Sequence, residues 1–311
     1  MKNQICTILG GGGFIGRYLV RNLTKKNYRC IISTRNAFQK GYLKTQATPG
    51  SIELINWNPN NFDELKESIK NSDVVINLIG ILYETRKQKF SQIHSDFPYL
   101  LCNLCNELQI KKLVHVSALG VSEKHSSKYI QSKLNGEKNI KNIFKSSVIL
   151  RPSLVFGPED KFFNTFAFYA KISPVIPLIG GGKTKFAPIY CVDVGKAIAK
   201  VLELKNKETK IYELGGPKNY SFRELMEILL NLIKKKRLFI NIPFNIAKFQ
   251  SYFLQMLPNP VLTVDQVELL KYDNIVSGNH PTLKDLGIEG KTIESVLPEY
   301  IYRFRTYGQF G

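Results

Sequence analysis

The sequence predicts an α/β fold in which a doubly wound parallel β-sheet carries helices on both faces and a smaller C-terminal region lies beside it. Short apolar runs rich in β-branched residues alternate with longer segments of helical periodicity through the first half of the chain. The strand-like runs are apolar along most of their length, as parallel strands covered on both faces are. The 311 residues are enough for one such unit with an appendage or for two domains.

The predicted strands and helices alternate up to residue 151. The predicted strands are Ile5–Gly10, Arg29–Thr34, Ser51–Asn56, Asp73–Ile79, Lys112–Ser117 and Ser147–Leu150. The predicted helices between them are Gly16–Lys25, Asn61–Lys70, Phe90–Leu108 and Tyr129–Phe144. Asn61 is placed to cap the second helix, and Glu64 to close a capping box with it. This alternation predicts βαβ units and therefore a parallel sheet.

The alternation breaks after residue 151, because prolines and glycines crowd residues 158–188. This segment is predicted to be loops with one helix. The chain then returns to the sheet with a helix (Val192–Leu204) and a strand (Lys210–Leu214), and Ser221-Phe-Arg-Glu224 opens a further helix as a capping box. From Lys234 onward we expect short helices and turns.

These patterns predict two parts of the chain. Residues 1–155, joined by residues 188–215, form the sheet domain. Residues 156–187 and 216–311 form a smaller region that meets a substrate or a partner.

The chain is strongly basic, with 44 Lys and Arg against 25 Asp and Glu and a net charge of +19. Such a field attracts an anionic partner, for example an acidic protein or a membrane surface with anionic lipids. The basic residues are scattered and form no long block, so a solvated, lysine-rich surface explains the charge equally well. No interleaved cluster of basic and aromatic residues forms a recognisable module, so nucleic acid is not a predicted partner.

The five cysteines indicate a reducing compartment and no metal site. Only Cys102 and Cys105 have C-x-x-C spacing, and they lie in a helical apolar pattern typical of a buried helix face. No second C-x-x-C completes a zinc site. No apolar run reaches the ~20 residues that a membrane span requires. The first strand already begins at Ile5, so we expect no signal or transit segment before it.

The strongest motif is the glycine loop between the first strand and the first helix, Gly10-Gly-Gly-Gly-Phe-Ile-Gly16. It contains two overlapping glycine patterns of dinucleotide-binding folds, which share Gly13 and Gly16. Backbone must approach the pyrophosphate at Gly13, and helix and strand pack closely at Gly16. The helix start offers free N–H groups and its dipole to the phosphates. The loop therefore predicts a Rossmann-type dinucleotide site formed by Gly10, Gly12, Gly13, Phe14, Ile15 and Gly16.

The end of the second strand indicates which dinucleotide is bound. Sites for NAD place a carboxylate there, on the ribose 2′-hydroxyl. Here the run Ile31-Ile-Ser-Thr-Arg35-Asn36 carries no acid, and Arg35 and Lys40 are basic. Because a guanidinium can bind a 2′-phosphate with two hydrogen bonds, the sequence favours NADP(H), with Arg35 as a cofactor-binding residue.

Tyr129 and Lys133 lie one helical turn apart on the same face of a predicted helix. In reductases of this fold such a lysine binds the nicotinamide ribose and lowers the pKa of the tyrosine, which then exchanges a proton with a carbonyl or an alcohol. Tyr83 and Lys87 have the same spacing by chance, in a loop after the fourth strand. Ser117, at the end of the fifth strand, is either a third catalytic residue or the end of a strand.

Together these motifs resemble those of atypical extended short-chain dehydrogenases. The resemblance continues through Asn77-Leu-Ile-Gly80, His115-Val-Ser117-Ala, Arg151-Pro-Ser-Leu-Val-Phe-Gly-Pro-Glu-Asp160-Lys-Phe-Phe-Asn164, Pro188-Ile-Tyr-Cys-Val-Asp193-Val and Leu262-Thr-Val-Asp265-Gln-Val-Glu-Leu-Leu. It covers nearly the whole chain, and its most specific part is Arg151–Asn164. Within this family the chain is most similar to the NADPH-binding accessory subunits of respiratory complex I and their bacterial relatives.

The resemblance implies tightly held NADPH and a set of further cofactor-binding residues, namely Asn58, Leu78, Gly80, Tyr129, Lys133, Pro152 and Val155. It implies respiratory complex I subunits or quinone-related proteins as partners. In a bacterium the protein would be cytoplasmic and peripheral on the inner membrane, and in an organelle it would lie on the mitochondrial matrix side.

Two positions depart from the family pattern. Asn58 stands where relatives of this fold often carry an Asp towards adenine. His94 stands where many carry a helix Asn that supports the Tyr–Lys proton relay. Two functions therefore stay open: a structural or regulatory NADPH-binding protein near quinone reduction or quinone metabolism, and a working NADP-dependent reductase, epimerase or dehydratase on a small carbonyl or sugar substrate.

The segment Phe239–Leu257 is rich in aromatic and apolar residues, and Lys234-Lys-Lys-Arg237 precedes it. A helix that is apolar over so much of its circumference is usually buried in a core. The alternatives are a helix that meets lipid or a membrane subunit, with the basic cluster drawn to anionic headgroups, and a roof over a substrate pocket.

Overall fold

A parallel sheet organises the protein, as seen in a computed structural model that describes residues 4–58 and 61–306. In chain order the strands are β1 (Ile5–Leu9), β2 (Arg29–Thr34), β3 (Ile52–Asn56), β4 (Val74–Asn77), β5 (Lys112–Val116), β6 (Ser147–Pro152), β7 (Val155–Phe156), β8 (Val175–Ile179), β9 (Lys185–Phe186), β10 (Ile189–Tyr190), β11 (Lys210–Leu214), β12 (Tyr220–Ser221) and β13 (Leu238–Ile242). Within the described residues the main sheet has seven strands in the order β11-β6-β5-β4-β1-β2-β3. Every neighbouring pair in it is parallel. The strand order reverses between β1 and β4, which is the switch point of a doubly wound sheet, so the predicted fold class is confirmed.

Most of the helices lie where the sequence periodicity predicts them. They are α1 (Phe14–Thr24), α2 (Phe62–Ile69), α3 (Phe97–Glu107), α4 (Lys128–Ile143), α5 (Phe162–Ile172), α6 (Cys191–Val201), α7 (Phe222–Leu232), α8 (Phe244–Leu254), α9 (Val264–Leu269), α10 (Ile293–Val296) and α11 (Pro298–Ile301). A π-helical turn, Gln92–Asp96, precedes α3. Short 3₁₀ segments follow β2 (Phe38–Gln46) and β8 (Gly180–Gly182), and two more lie near the end (Lys284–Leu286 and Tyr302–Phe304).

Two of the predicted helix caps can be compared with the structure. The Asn61 side chain accepts from the Glu64 N–H at 3.3 Å, so the predicted cap is confirmed. Glu64 does not close the predicted capping box, because its carboxylate accepts from the Asn58 N–H instead. The capping box between Ser221 and Glu224 is present as predicted.

Each face of the sheet covers its own apolar core. Alternate residues of a strand point to opposite faces, and in β1 Ile8 packs with α1 and α6 on one face. Leu9 packs on the other face with residues of α2, α3 and α4. Burial on both faces explains why the strand sequences are almost continuously apolar.

The smaller region has a third apolar core of its own. It is formed by residues of α5, α7, α10 and α11, including Phe163, Leu225 and Ile301. The strand β11 joins the main sheet at its edge, beside β6. The chain therefore passes into the smaller region after β6 and returns to the sheet through α6 and β11.

The prediction for the proline-rich segment and the tail is wrong in part. The segment 158–188 contains α5 as its one helix, but it also contains β8, which pairs in parallel with β13. The tail thus begins with a strand, although short helices and turns were expected there. The pairing joins residues about 60 positions apart in sequence, so local periodicity gave no indication of it.

The tail helix α8 is not a core helix, so that alternative is wrong. Only Ala247 and Ser251 of this helix are buried. Six large side chains of α8 and the residues after it are exposed: Ile246, Phe249, Tyr252, Phe253, Met256 and Leu257. We call this set the α8 surface. The two small residues face the protein because they allow close packing there, and the larger ones face outward.

A buried ion pair joins α4 to the sheet. Arg151 on β6 donates from Nε and from a terminal nitrogen to the two carboxylate oxygens of Glu137 on α4, at 2.9 and 2.6 Å. Glu213 on β11 lies 3.8 Å from the same guanidinium. All three side chains are buried. The ion pair fixes where α4 lies along the sheet.

All five cysteines are buried with free thiols, and Cys102 and Cys105 lie in α3 as expected. In the part of the chain that the structure describes, no group of three or more His, Cys, Asp and Glu residues is placed to hold a metal ion. None of the helices in that part is both long and apolar enough to span a bilayer.

Candidate functional site

The start of α1 is the centre of the candidate site. The glycine loop leaves β1, and its Gly10 N–H donates to the Ser33 carbonyl oxygen at 3.0 Å, which ties the loop to β2. Gly13 is the N-cap residue of α1, and the helix has neither a side-chain cap nor an acidic residue in its first turn. The first N–H groups of α1, from Phe14, Ile15 and Gly16, therefore have no cap and favour an anion.

The structure accounts for the absence of a side chain differently at Gly13 and at Gly16. A Cβ atom at Gly16 would lie 2.1 Å from the Gly11 carbonyl oxygen, so close packing of helix and loop excludes a side chain. A Cβ atom at Gly13 would meet only the Gly10 oxygen, at 3.2 Å. The backbone of Gly13 (φ −84°, ψ −171°) is open to any residue. The missing side chain at Gly13 thus leaves space in front of the helix start, as a pyrophosphate requires.

The carboxyl end of β2 lies beside this loop. A Cβ atom at Gly12 would be 2.7 Å from Thr34 Oγ1 and 3.1 Å from Lys40 Cγ. Arg35 is exposed directly after β2, without a hydrogen bond or ion pair to another described residue. Asn58, after β3, is exposed at the same edge of the sheet. The region next to the loop is therefore basic.

The other proposed cofactor residues lie along the same edge, because the carboxyl ends of parallel strands meet there. Leu78 follows β4, and its N–H donates to the Leu9 oxygen at 3.0 Å. A Cβ atom at Gly80 would lie 3.4 Å from Lys133 Nζ. Pro152 is the last residue of β6, and Val155 is half-buried in β7. The structure thus brings residues from the ends of β1, β2, β4 and β6 to the same edge of the sheet, and we call the region beside this edge the cleft.

Tyr129 and Lys133 lie in the first two turns of α4. Lys133 is buried, and its Nζ donates to the Val116 oxygen at 3.3 Å and lies 6.0 Å from the centre of the Tyr129 ring. Burial lowers the pKa of Lys133 to about 8. The other pair with this spacing, Tyr83 and Lys87, lies outside any helix.

The pKa of Tyr129 moves in the direction opposite to the expected one. Burial, with a smaller contribution from the Asp265 carboxylate, raises the pKa of Tyr129 to about 12. Lys133 is directed to a backbone oxygen and itself carries a lowered pKa, so its influence on the phenol is smaller than that of burial.

Two buried polar atoms beside Lys133 have no hydrogen-bond partner in the described residues. They are Ser117 Oγ and His115 Nε2. His115 Nδ1 lies 3.0 Å from the Asn77 amide nitrogen, which donates to it, so the proton of the ring is on Nε2. Burial lowers the pKa of His115 to about 3, so the ring is neutral. Since buried polar groups are nearly always paired, these two atoms indicate a place for ligand atoms.

His94 lies in the π-helical turn and is held at both ring nitrogens. Its Nε2 accepts from the Ile81 N–H at 3.1 Å, and its Nδ1 is 3.0 Å from Ser132 Oγ. Ser132 donates its own proton to the Tyr129 carbonyl oxygen at 2.7 Å, so Nδ1 carries the ring proton and donates to Ser132. Burial lowers the pKa of His94 to about 2. The neutral ring positions the loop after β4 and has no free lone pair for proton transfer.

Asp265 also belongs to the site. In the sequence it is part of the motif that begins at Leu262, and no role was predicted for it there. Its carboxylate accepts from the N–H groups of Lys128 and Tyr129 at 2.6 and 3.1 Å, and from Ser127 Oγ at 2.8 Å. It thus caps the start of α4 from a distant part of the chain, where the helix dipole favours a negative charge. The contact spans more than 130 residues, so spacing along the sequence could not reveal it.

This arrangement fits a nicotinamide dinucleotide. The free start of α1 and the space at Gly13 suit the pyrophosphate, and Arg35 and Lys40 suit a phosphate next to β2. Lys133, Tyr129, Ser117 and His115 supply polar groups at the other end of the cleft. A bound nicotinamide would supply hydride transfer, and the residues of this chain would bind and orient it.

The fold and the glycine loop define a nucleotide-binding protein of the extended short-chain dehydrogenase/reductase type. More particularly, the chain belongs to the NAD dependent epimerase/dehydratase family, whose sequence model matches residues 6–215.

Two relatives are similar over nearly the whole chain. The NADH dehydrogenase (ubiquinone) 1 alpha subcomplex subunit 9 of Arabidopsis thaliana is 31% identical, over 99% of this chain and 80% of that protein. Its counterpart in Mus musculus is 30% identical, over 99% of this chain and 82% of that protein. The resemblance seen in the sequence motifs is therefore confirmed.

Solved structures share the fold. A dTDP-glucose 4,6-dehydratase from Streptomyces venezuelae, solved with NAD bound, has a TM-score of 0.73 with 17% identity and covers 97% of this chain and 96% of its own. At this identity the similarity concerns the fold alone.

Substitution of Lys133 by Met tests how much the buried charge of Lys133 destabilises the folded protein. The pKa of Lys133 is lower in the folded protein than its ordinary value of 10.5, so the unfolded chain binds more protons between about pH 8 and pH 10.5. Stability of the native chain therefore rises with pH across this window. At pH 7 we expect Lys133→Met to raise the free energy of unfolding of the cofactor-free protein by about 3 kcal/mol, and we expect the gain to vanish above pH 10.5.

Urea unfolding followed by circular dichroism at pH 7 and pH 10.5 measures this difference. Lys141→Met, on the exposed side of the same helix, is the control and changes stability by less than about 0.5 kcal/mol at both values. A loss of stability at pH 7 in Lys133→Met would contradict the assignment of a destabilising buried charge.

Proposed function

We propose that this chain holds NADPH and acts as an accessory subunit of a respiratory complex I, with a structural or regulatory role near quinone reduction or quinone metabolism. The observation that carries the proposal is the similarity to complex I subunits along 99% of the chain. The glycine loop of the nucleotide site supports a role for a bound cofactor within complex I.

Two features of the Tyr129 region favour a structural role over turnover. The pKa of Tyr129 is raised to about 12, so the phenol is a poor proton donor and a rare phenolate near neutral pH. His94 has both ring nitrogens engaged within the protein, so it relays no proton to the lysine. Both features support a role in which this part of the chain orients the bound cofactor.

The second candidate is an active NADP-dependent reductase, epimerase or dehydratase on a small carbonyl or sugar substrate. The observation that favours it is the buried Ser117 hydroxyl, which has no partner in the described residues and lies after the strand that precedes Tyr129 and Lys133. In this reading Ser117 would polarise a substrate oxygen, Tyr129 would exchange its proton, and Lys133 would bind the ribose.

The preference for NADPH over NADH rests on the surroundings of Gly12. Lys40 and Thr34 lie against the loop there, and Arg35 follows in the exposed turn. Residues 33–40 include no Asp or Glu. A 2′-phosphate would find two cations at this place, whereas a 2′-hydroxyl would find no carboxylate to accept its hydrogen bond.

Arg35→Asp should therefore weaken the binding of NADPH relative to NADH. We expect the native chain to bind NADPH at least tenfold more tightly than NADH, and the variant to lose that preference, because the new carboxylate repels the 2′-phosphate. Isothermal titration with both cofactors measures the ratio. Arg29→Asp, at the other end of β2, is the control and should leave the ratio unchanged. Equal affinities of the native chain for NADPH and NADH would refute the preference.

Gly13→Val and Tyr129→Phe separate the two candidate functions. A valine at position 13 fills the space before α1 and should abolish cofactor retention with little change in folding, because the backbone there suits any residue. Tyr129→Phe removes only the phenolic hydroxyl and should retain the cofactor. If the role is structural, incorporation into complex I, measured by native gel electrophoresis, fails for Gly13→Val and survives for Tyr129→Phe.

The alternative outcomes are distinct. Collapse of carbonyl reduction in Tyr129→Phe, with cofactor still bound, would favour the enzyme. Normal complex assembly by a Gly13→Val chain that has lost its cofactor would contradict a structural role for NADPH.

A peripheral position on a membrane is the remaining part of the proposal. The basic cluster 234–237 leads directly into β13 and the α8 surface, which combines exposed aromatic and aliphatic side chains. Large exposed apolar patches of this kind mark contacts with proteins or membranes. We therefore place this surface against the inner membrane, on its cytoplasmic side in a bacterium or its matrix side in an organelle.

Combined substitution of Lys234, Lys235 and Lys236 by Gln tests this position. Arg237 is retained because its Nε donates to the Ala170 oxygen at 2.7 Å. At about 1 kcal/mol per charge, binding to phosphatidylserine vesicles should weaken roughly 100-fold. The control replaces Lys141, Lys145 and Lys207, which are exposed, and should bind nearly as the native chain does. Vesicle sedimentation gives the affinities, and no binding of the native chain would exclude the membrane.

A further inference from the structure

A second cavity lies outside the nucleotide cleft, against the outer face of α1. Its volume is about 750 Å³, and its walls are the end of the 3₁₀ segment after β2 and the first turns of α6. None of its lining residues belongs to the set proposed for the cofactor. We call it the α1–α6 groove.

The lining of the groove is basic. Arg17, Arg21 and Lys25 recur at every fourth position and so form one stripe along α1, and Lys196 faces them from α6. The lining includes no Asp or Glu. Arg17 is paired with Glu159, and Lys196 is paired with Asp193 at 2.8 Å.

The remaining two cations, Arg21 and Lys25, are exposed and form no ion pair with another described residue. Like charges four residues apart destabilise a helix. Arg17 also stands in the first turn of α1, where the helix dipole disfavours a positive charge. Arg21 and Lys25 stand at the end of α1, where the helix dipole favours a positive charge, but both side chains remain available to an anion because neither has an ion-pair partner among the described residues.

Two lining residues carry buried polar atoms without a hydrogen-bond partner in the described residues. These atoms are Arg17 Nε, which donates, and Gln46 Oε1, which accepts. An inorganic polyanion satisfies only the donor. A peptide backbone satisfies both, because each peptide unit accepts through its carbonyl oxygen and donates through its N–H.

The shape of the groove suits an extended chain. A smaller cavity of about 380 Å³ continues it along α1 and shares Asn22 and Lys196 with it. From Arg17 to its C-cap Lys25 the helix rises about 12 Å, which about four extended residues span. Residues four apart on α1 are about 6 Å apart along its axis, close to the ~6.6 Å between alternate residues of an extended chain.

We propose that the α1–α6 groove binds an extended acidic segment of a partner protein, with carboxylates at alternate positions on Arg21 and Lys25 and backbone groups on Arg17 and Gln46. The site is separate from the nucleotide cleft, and this inference does not depend on which function the cleft performs.

The test uses a fluorescently labelled eight-residue peptide of alternating glutamate and serine, and the full chain at low salt. Fluorescence anisotropy should show saturable binding that the same peptide with glutamine in place of glutamate lacks. The double variant Arg21→Gln, Lys25→Gln should weaken binding at least tenfold. The matched control Lys141→Gln, Lys145→Gln removes the same charge from α4 and the exposed turn after it, and should stay within twofold of the native chain.

A second variant distinguishes a peptide from a simple anion. Gln46→Ala should weaken the peptide at least threefold and leave the affinity for tripolyphosphate unchanged. Equal weakening by the two charge-removing double variants would overturn the proposal. An unchanged peptide affinity in Gln46→Ala would also overturn it. The same holds if the double variant Arg21→Gln, Lys25→Gln loses tenfold in affinity for single-stranded DNA or anionic vesicles but keeps its affinity for the peptide.

Discussion

The position of α4, and with it much of the cleft, depends on the buried ion pair between Glu137 on that helix and Arg151 on β6. Two charge-assisted hydrogen bonds fix the distance and the rotation of the helix against the sheet. Such a pair is not a strong source of stability, because an apolar pair of similar size often does as well, but loss of one partner costs about 3–5 kcal/mol. Its contribution is geometric. Lys133 and Tyr129 lie one and two turns before Glu137, respectively, so the ion pair determines where they meet the end of β5.

Contacts from the C-terminal part of the chain also hold α4 and the strand ends in place. Asp265 caps the first turn of α4, and Asn274 binds the Leu119 oxygen and the Ser153 hydroxyl beside the cleft. The Ser277 N–H donates to Glu213, whose other carboxylate oxygen faces Arg151. The middle and the start of α4 are thus held by different parts of the sequence, through Arg151 and through Asp265. A family match limited to residues 6–215 leaves out this second support.

The sequence predicted those features whose causes are local. The glycine loop, the strands and the Asn61 cap each depend on residues within a few positions of one another, so their patterns can be read directly. Asp265, the β8–β13 pair and the outward orientation of α8 depend on contacts between distant segments. The π-helical turn was also missed, because it adds one residue to a turn without changing the apolar pattern around it. The proposed boundary between the two parts of the chain, and the cofactor and catalytic roles, stay predictions.

The π-helical turn around His94 ties three positions together. A Cβ atom at Gly136 would lie 1.9 Å from the His94 carbonyl oxygen, so α4 can approach the turn only through glycine. Ser132, one turn before Gly136, accepts a hydrogen bond from the His94 ring N–H. A different side chain at 94 would leave the Ile81 N–H without its acceptor and would remove the donor to Ser132 Oγ, and a larger side chain at 136 would push the turn away. Residues 94 and 132 are therefore coupled through their side chains, whereas Gly136 depends on the backbone of the turn: a lineage that replaces His94 should change position 132 with it, and it should keep Gly136 for as long as it keeps the π-helical turn.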